Sequence, residues 1–133
     1  MGRLERVREG WHESRRLMER IETLEALAEK VTPNITGMPK ASSLYKDDVW
    51  ARLIDARLEC EASIKGYLED YRTLETELNT IEKLNIREVL KYRYLNCLTV
   101  EKTAELMGIE TRSVYRLLKQ GKKIYRDMYE QET

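Results

Sequence analysis

The chain has 133 residues, 41% of them hydrophobic and 36% charged, with a formal net charge of zero. That is enough for one modest core, or for a small module attached to helices that bury their faces against a partner, and it argues against a large catalytic domain. Cys60 and Cys97 are too few and too isolated for a disulfide framework, and neither lies in a zinc-binding pattern, so both read as reduced thiols. The first residues are charged and no segment approaches the roughly 20 apolar residues of a membrane span, so a soluble, cytoplasmic protein with no membrane association is expected.

Leu4, Val7, Trp11, Met18, Ile21, Leu24 and Ala28 recur at spacings of three and four among Arg and Glu, which predicts an amphipathic helix over about residues 2–31. Gly10 and the polar Ser14, which falls on the apolar stripe, interrupt it. Residues 32–46 then hold both prolines with Gly, Asn and Ser and read as a linker. A second helix is expected over about 47–83, where Cys60, Ile64, Tyr67, Tyr71, Leu74, Leu78 and Ile81 alternate four and three apart. The seam extends back to Leu53 and Trp50 if Arg57 counts as one polar interruption. A heptad seam of that length calls for another helix, either the first one folded back or the same helix of a second subunit. The expectation is that both occur, in a homodimer with a helical stem spanning 1–84 and with Trp11 and Trp50 packed near its ends.

Asn85 and Glu88 have the spacing of a capping box, which predicts a short helix over about Ile86–Leu95. Thr99 is placed to cap the next helix, with Glu101 near its positive end. No segment sustains period-two alternation between turn signals, so the expected fold class is all-α: a helical hairpin or coiled-coil stem followed, over 85–128, by a helix-turn-helix.

Charge supports that division. Residues 86–126 carry ten basic side chains against four acidic ones, net +6, so the rest of the chain is net −6. Two short helices crossing at a tight turn need a small residue where they approach, a turn residue, and an apolar anchor on the second helix. Ala104, Gly108 and Val114 supply these in order, with Met107, Ile109 and Leu117 filling the other apolar positions. At 100° per residue, Val114, Leu117, Leu118, Gly121, Ile124 and Tyr125 share one side of the last helix, and Arg112, Arg116, Lys119 and Lys123 share the other. A basic stripe opposite an apolar one suits a recognition helix in the major groove of double-stranded DNA. Arg112 and Arg116 lie near the amino end, where arginine bonds bidentately to guanine. Thr111, Ser113 and Tyr115 are further candidates for base or backbone contact. Lys119, Lys122, Lys123 and Arg126 read as phosphate contacts, which position the helix without specifying sequence.

The segments Arg87–Tyr94, Leu98–Ile109 and Val114 through the Lys122-Lys123 pair together resemble the promoter-reading fourth region of bacterial sigma factors. With the helical stem and the proline-containing linker, the chain is similar to phage-encoded transcriptional regulators of the ArpU/RinA type. That resemblance implies an activator of late phage or prophage genes acting with host RNA polymerase. Thr103 stands where the pattern usually has an aliphatic residue, and nothing resembles the polymerase-binding second region of a complete sigma factor.

No nucleophile motif, phosphate loop or pair of histidines points to catalysis, so no catalytic residue, cofactor or metal is assigned. His12 among Glu5, Glu9 and Glu13 reads as a surface charge cluster, because one histidine with carboxylates is a poor zinc set. Two other functions share this architecture: a small-terminase-like DNA-packaging protein, distinguishable by a ring of many subunits, and a helical adaptor that does not bind DNA.

Overall fold

The computed structural model describes residues 2–31 and 40–130. Among the described residues the chain is all-α, with α1 (Arg3–Val31), α2 (Lys40–Leu78), α3 (Leu84–Leu90), α4 (Val100–Met107) and α5 (Thr111–Tyr129). A single wide turn, Lys91–Leu95, extends α3; Asn96 N–H donates to the Lys91 carbonyl at 3.0 Å, five residues back. No described helix is long and apolar enough to cross a membrane.

Several element boundaries differ from expectation. Residues 32–39 of the expected linker lie outside the described residues, while α2 already begins at Lys40, so residues 40–46 are helical. At its other end α2 stops at Leu78, five residues before the expected boundary. Asn79 and Thr80 turn the chain, and Ile81 is buried as predicted but from outside the helix. The expected capping box does not form. Because α3 starts at Leu84, Lys83 occupies the cap position without a side-chain bond, and Asn85 Oδ1 accepts only from the neighbouring Ile86 N–H, at 2.9 Å.

The chain forms two compact units, and their division differs from a stem over 1–84 with a module after it. One unit is His12–Gly66; the other joins Met1–Trp11 to Tyr67–Thr133. Within His12–Gly66, Leu24, Leu53 and Ala56 form a small core flanked by Ile21 and Leu27, so helix one does fold back on helix two in the same chain. Ser14 is buried on the stripe, with its Oγ 3.5 Å from Ser63 Oγ, a polar pair that satisfies both hydroxyls. Leu17 is buried and Met18 is 51% exposed, the reverse of the expected stripe. In the part of α2 within this unit, the buried described residues are Val49, Leu53, Ala56 and Cys60, with Trp50 and Arg57 exposed. Leu53 and Cys60 lie on the seam as expected, and Val49 and Ala56 take the places of Trp50 and Arg57, because compact Val and Ala fit between two close helices and Trp and Arg do not.

In the other unit, both ends of the long helices enter the core of the carboxy-terminal helices. Leu4 and Val7 of α1 and Leu74 and Leu78 of α2 are buried with Ile86, Val89, Leu90, Tyr94, Leu95, Val100, Ala104, Val114, Leu117, Leu118 and Tyr125. Each fully buried Leu or Val there contributes about 1.5–3 kcal/mol relative to exposure. Gly10 lets α1 approach Tyr67: a Cβ added at Gly10 would lie 3.0 Å from Tyr67 Cδ2, so this residue has a packing role that its helix propensity conceals. A polar clamp closes the unit. Tyr125, fully buried, donates its hydroxyl to Glu77 Oε1 at 2.7 Å, and Arg3 Nη1 reaches both Glu77 oxygens at 2.6 Å. The Arg3 main-chain N–H donates to Glu130 at 3.1 Å.

Burial, together with the bond to Glu77, raises the Tyr125 phenol above its ordinary range. The neutral phenol is therefore favoured by folding: its contribution is fully present below the unfolded pKa of about 10 and is lost as pH rises beyond it. Tyr125→Phe should cost about 1.5–3 kcal/mol near neutrality, the usual worth of a hydrogen bond to a charged group. Urea melts of the two proteins should converge as pH is raised above 10, and a constant difference would refute this account.

Candidate nucleic-acid interface

The turn between α4 and α5 is built from local rules. Thr99 caps α4 by accepting the Lys102 N–H on its side-chain oxygen at 3.1 Å, with Glu101 in the first turn as expected. Thr103, buried where an aliphatic residue was expected, returns its hydroxyl to the Thr99 carbonyl at 2.8 Å and so turns only its methyl to the core. At the far end Gly108 takes the left-handed conformation, φ 67°. Gly108 N–H donates to Glu105 at 3.3 Å and Ile109 N–H to Ala104 at 3.0 Å, the paired bonds of a Schellman motif. The four-residue interval from Ala104 to Gly108 is the interval of that motif. Ile109 then packs on the core, and Glu110 opens α5 with its carbonyl accepting from Ser113 and Val114.

Packing of α5 on α3 decides which side of α5 faces outward. Val114, Leu117, Leu118, Gly121 and Tyr125 are buried, and Ile124 is partly so, as the helical period predicts. At Gly121 the helices are closest: an added Cβ would lie 3.1 Å from Leu90 Cδ1 and 3.2 Å from Ile86 Cγ2.

The opposite side carries the predicted residues. Thr111, Arg112, Arg116, Lys119 and Lys123 are exposed, and Tyr115 is 59% exposed. Ser113 is half-buried at the edge of the face, away from Tyr115. Lys122 is also half-buried, its Nζ 5.9 Å from the centroid of the Tyr94 ring, a cation–π distance. Arg112 pairs with Glu110 at 2.8 Å, but its side chain is 87% exposed, so the pair is a weak, solvent-screened one. Among the described residues no carboxylate lies within ion-pair distance of Arg116, Lys119 or Lys123. Arg126, expected as a phosphate contact, pairs with Glu5 at 3.3 Å and Glu130 at 3.9 Å through a side chain that is 54% exposed.

One residue of this surface escaped the sequence reading. Arg93 sits on the wide turn after α3, half-buried, its guanidinium donating to the Leu98 carbonyl. Burial, and next the neighbouring charge of Arg8, pull it below its ordinary range, while Tyr115 is close enough to act on it as well. It figured in the charge count of residues 86–126, yet only the fold brings it beside α5. Among the described residues no group of three His, Cys, Asp or Glu side chains is arranged to hold a metal ion.

A family model described as "Protein of unknown function (DUF1492)" matches residues 34–125. The chain belongs to the DUF1492 family. The DUF1492 match takes in α2, α3, α4 and α5 as far as Tyr125, and so includes the whole turn and the basic face of α5. No curated protein and no solved structure matches the chain.

Two substitutions separate the two demands on glycine here. Gly108→Ala meets no neighbour and should cost only the left-handed backbone penalty, about 1–2 kcal/mol. Gly121→Val drives new methyls into Leu90 and Ile86, and should destabilise by about 3 kcal/mol, the upper end for overpacking. Chemical denaturation of both variants checks the order; a Gly121→Val protein as stable as wild type would contradict the close approach of α3 and α5.

Proposed function

We propose that this DUF1492 chain is a sequence-specific double-stranded DNA-binding transcriptional regulator, with α4, the Gly108 turn and α5 as a helix-turn-helix. The observation that carries this reading is the outward face of α5, where Arg116, Lys119 and Lys123 are exposed with no described carboxylate paired to them. Solvated faces of ordinary helices mix both charge signs, as α1 does with Arg15 beside Glu19 and Arg16 beside Glu13. On α5 no acidic residue falls between Glu110 and Asp127. In this role Arg112 and Arg116 read base edges, Thr111, Ser113 and Tyr115 contact base or backbone, and Lys119, Lys122 and Lys123 hold phosphates.

The resemblance to sigma-factor region four extends the proposal to a promoter-proximal activator of phage or prophage genes that works beside host RNA polymerase. A homodimer fits a regulator that reads two half-sites. The exposed Trp50, Ile54 and Leu58, spaced four apart on α2, support self-association.

Arg116→Ala should weaken binding to a site selected from a random duplex library by about 1–3 kcal/mol, leaving the thermal midpoint unchanged. Equal gel-shift affinity of mutant and wild type would sink the reading. Light scattering addresses the assembly: a dimer fits regulation, and a many-membered ring points instead to DNA packaging.

A further inference from the structure

Within His12–Gly66, α2 has a second periodic face, and it is left exposed. Asp47, Ala51, Ile54, Leu58, Glu61 and Lys65 succeed one another alternately four and three residues apart, the spacing of a coiled-coil seam. At 100° per residue this stripe lies about 150° around the helix from the buried Val49, Leu53, Ala56 and Cys60. All six residues are exposed, Ile54 at 54% and Leu58 at 60%, and Trp50 borders them at 39%. The middle of the stripe is therefore a contiguous apolar patch in water, which marks an interaction surface. Charged residues stand at its ends.

Those charges select the occupant. Among the described residues Asp47, Glu61 and Lys65 have no ion-pair partner, whereas on the same helix Asp48 pairs with Arg52, and Arg57 pairs with Glu25 of α1. Asp47 and Lys65 each stand nine residues from Ala56, on opposite sides of it, and Ile54 and Leu58 each stand two. A face built this way is complementary to a copy of itself turned end for end. In that antiparallel pair Ile54 packs on Leu58 of the second copy, and Asp47 meets Lys65 of the second copy. Ala51 stands opposite Glu61 and leaves room for the longer side chain. Two-fold symmetry makes each of these contacts twice. A parallel symmetric pair would instead set Asp47, Glu61 and Lys65 each against its own copy, and facing like charges destabilise a helix pair. A partner of unrelated sequence gives no reason for acid and base to lie at equal distances from the apolar centre.

We propose that this face of α2 is the subunit interface of a homodimer, in which the α2 helices of two copies pair antiparallel about a two-fold axis at the level of Ala56. The inference rests on the homodimer of the reading above and is independent of what α5 binds. It adds the surface, the orientation and the register of the pair.

The test is sedimentation equilibrium of the full-length protein over a concentration series at low ionic strength, where exposed ion pairs are least screened. Leu58→Asp should raise the dimer dissociation constant by about a hundred-fold or more, because two leucines leave the interface. Leu58 is exposed within the subunit, so the far-ultraviolet circular dichroism of this variant should match wild type. Asp47→Lys and Lys65→Asp each turn both end pairs into like charges and should weaken the dimer by about three- to ten-fold. Combining the two reversals should restore wild-type affinity. In a parallel pair a single reversal exchanges like charges for like and changes nothing. If wild type dimerises and Leu58→Asp dimerises equally well, this face is not the interface and the homodimer stands. Single reversals without effect, or a double reversal no tighter than the singles, would overturn the antiparallel register and the proposal with it. A wild-type chain that stays monomeric, or that forms a ring of many subunits, would overturn this interface and the homodimer together, while the gel-shift test of α5 is decided separately.

Discussion

The rotation of α5 about its own axis is the constraint on which the proposed DNA-binding surface depends. Val114, Leu117, Leu118, Gly121 and Tyr125 are buried, and α5 approaches α3 so closely that a Cβ at Gly121 would press on Leu90 and Ile86 at 3.1–3.2 Å. A helix fixed along one stripe has no freedom over what it presents on the other. Burial at about 1.5–3 kcal/mol per large apolar side chain therefore does two things at once: it stabilises the unit and points Arg116, Lys119 and Lys123 outward. The Schellman turn at Gly108 adds the second restraint, since it sets where α5 begins relative to α4.

The core that holds α5 is not assembled from the carboxy-terminal helices alone. Leu4 and Val7 from the start of the chain and Leu74 and Leu78 from the end of α2 are part of it. The Arg3, Glu77 and Tyr125 clamp joins three helices through one carboxylate. Glu77 is nearly buried, and an unpaired carboxylate there would be expensive, so its two partners are each required by the other. Such a network specifies which helix ends meet, whereas apolar packing alone tolerates small shifts in register. In this unit, the amino-terminal turns of α1 are as much part of the DNA-binding module proposed here as α4 is.

Legibility in the sequence followed the range of the interaction. Thr99, Gly108 and the apolar stripe of α5 were readable because caps, left-handed turns and helical periods depend on residues within a few positions of one another. Where two helices had to choose among similar stripes, the reading failed. Trp50 and Arg57 were expected on the seam of α2 where Val49 and Ala56 are buried, although Val49, Leu53, Ala56 and Cys60 make a four-three register with no polar interruption; Met18 was expected where Leu17 is buried, because two adjacent apolar residues leave two registers open. The choice belongs to the facing helix, which admits only the side chains that fit. The Asn85 box failed for a related reason: the buried Ile81 pins the preceding turn, α3 starts at Leu84, and Asn85 then lies inside the helix it was expected to cap.

By itself, then, the sequence determined an all-α chain, the order of its described helices, and the split of α5 into an apolar and a basic face, since each is a matter of period and local backbone chemistry. Tertiary structure alone decided that Arg126 pairs with Glu5, and that the turn carrying Arg93 and Tyr94 lies against Lys122 of α5. No local pattern encodes those neighbours. They arise because Leu4 and Val7 complete a core whose other walls are made at the opposite end of the chain, and the charges on α1 are carried there with them.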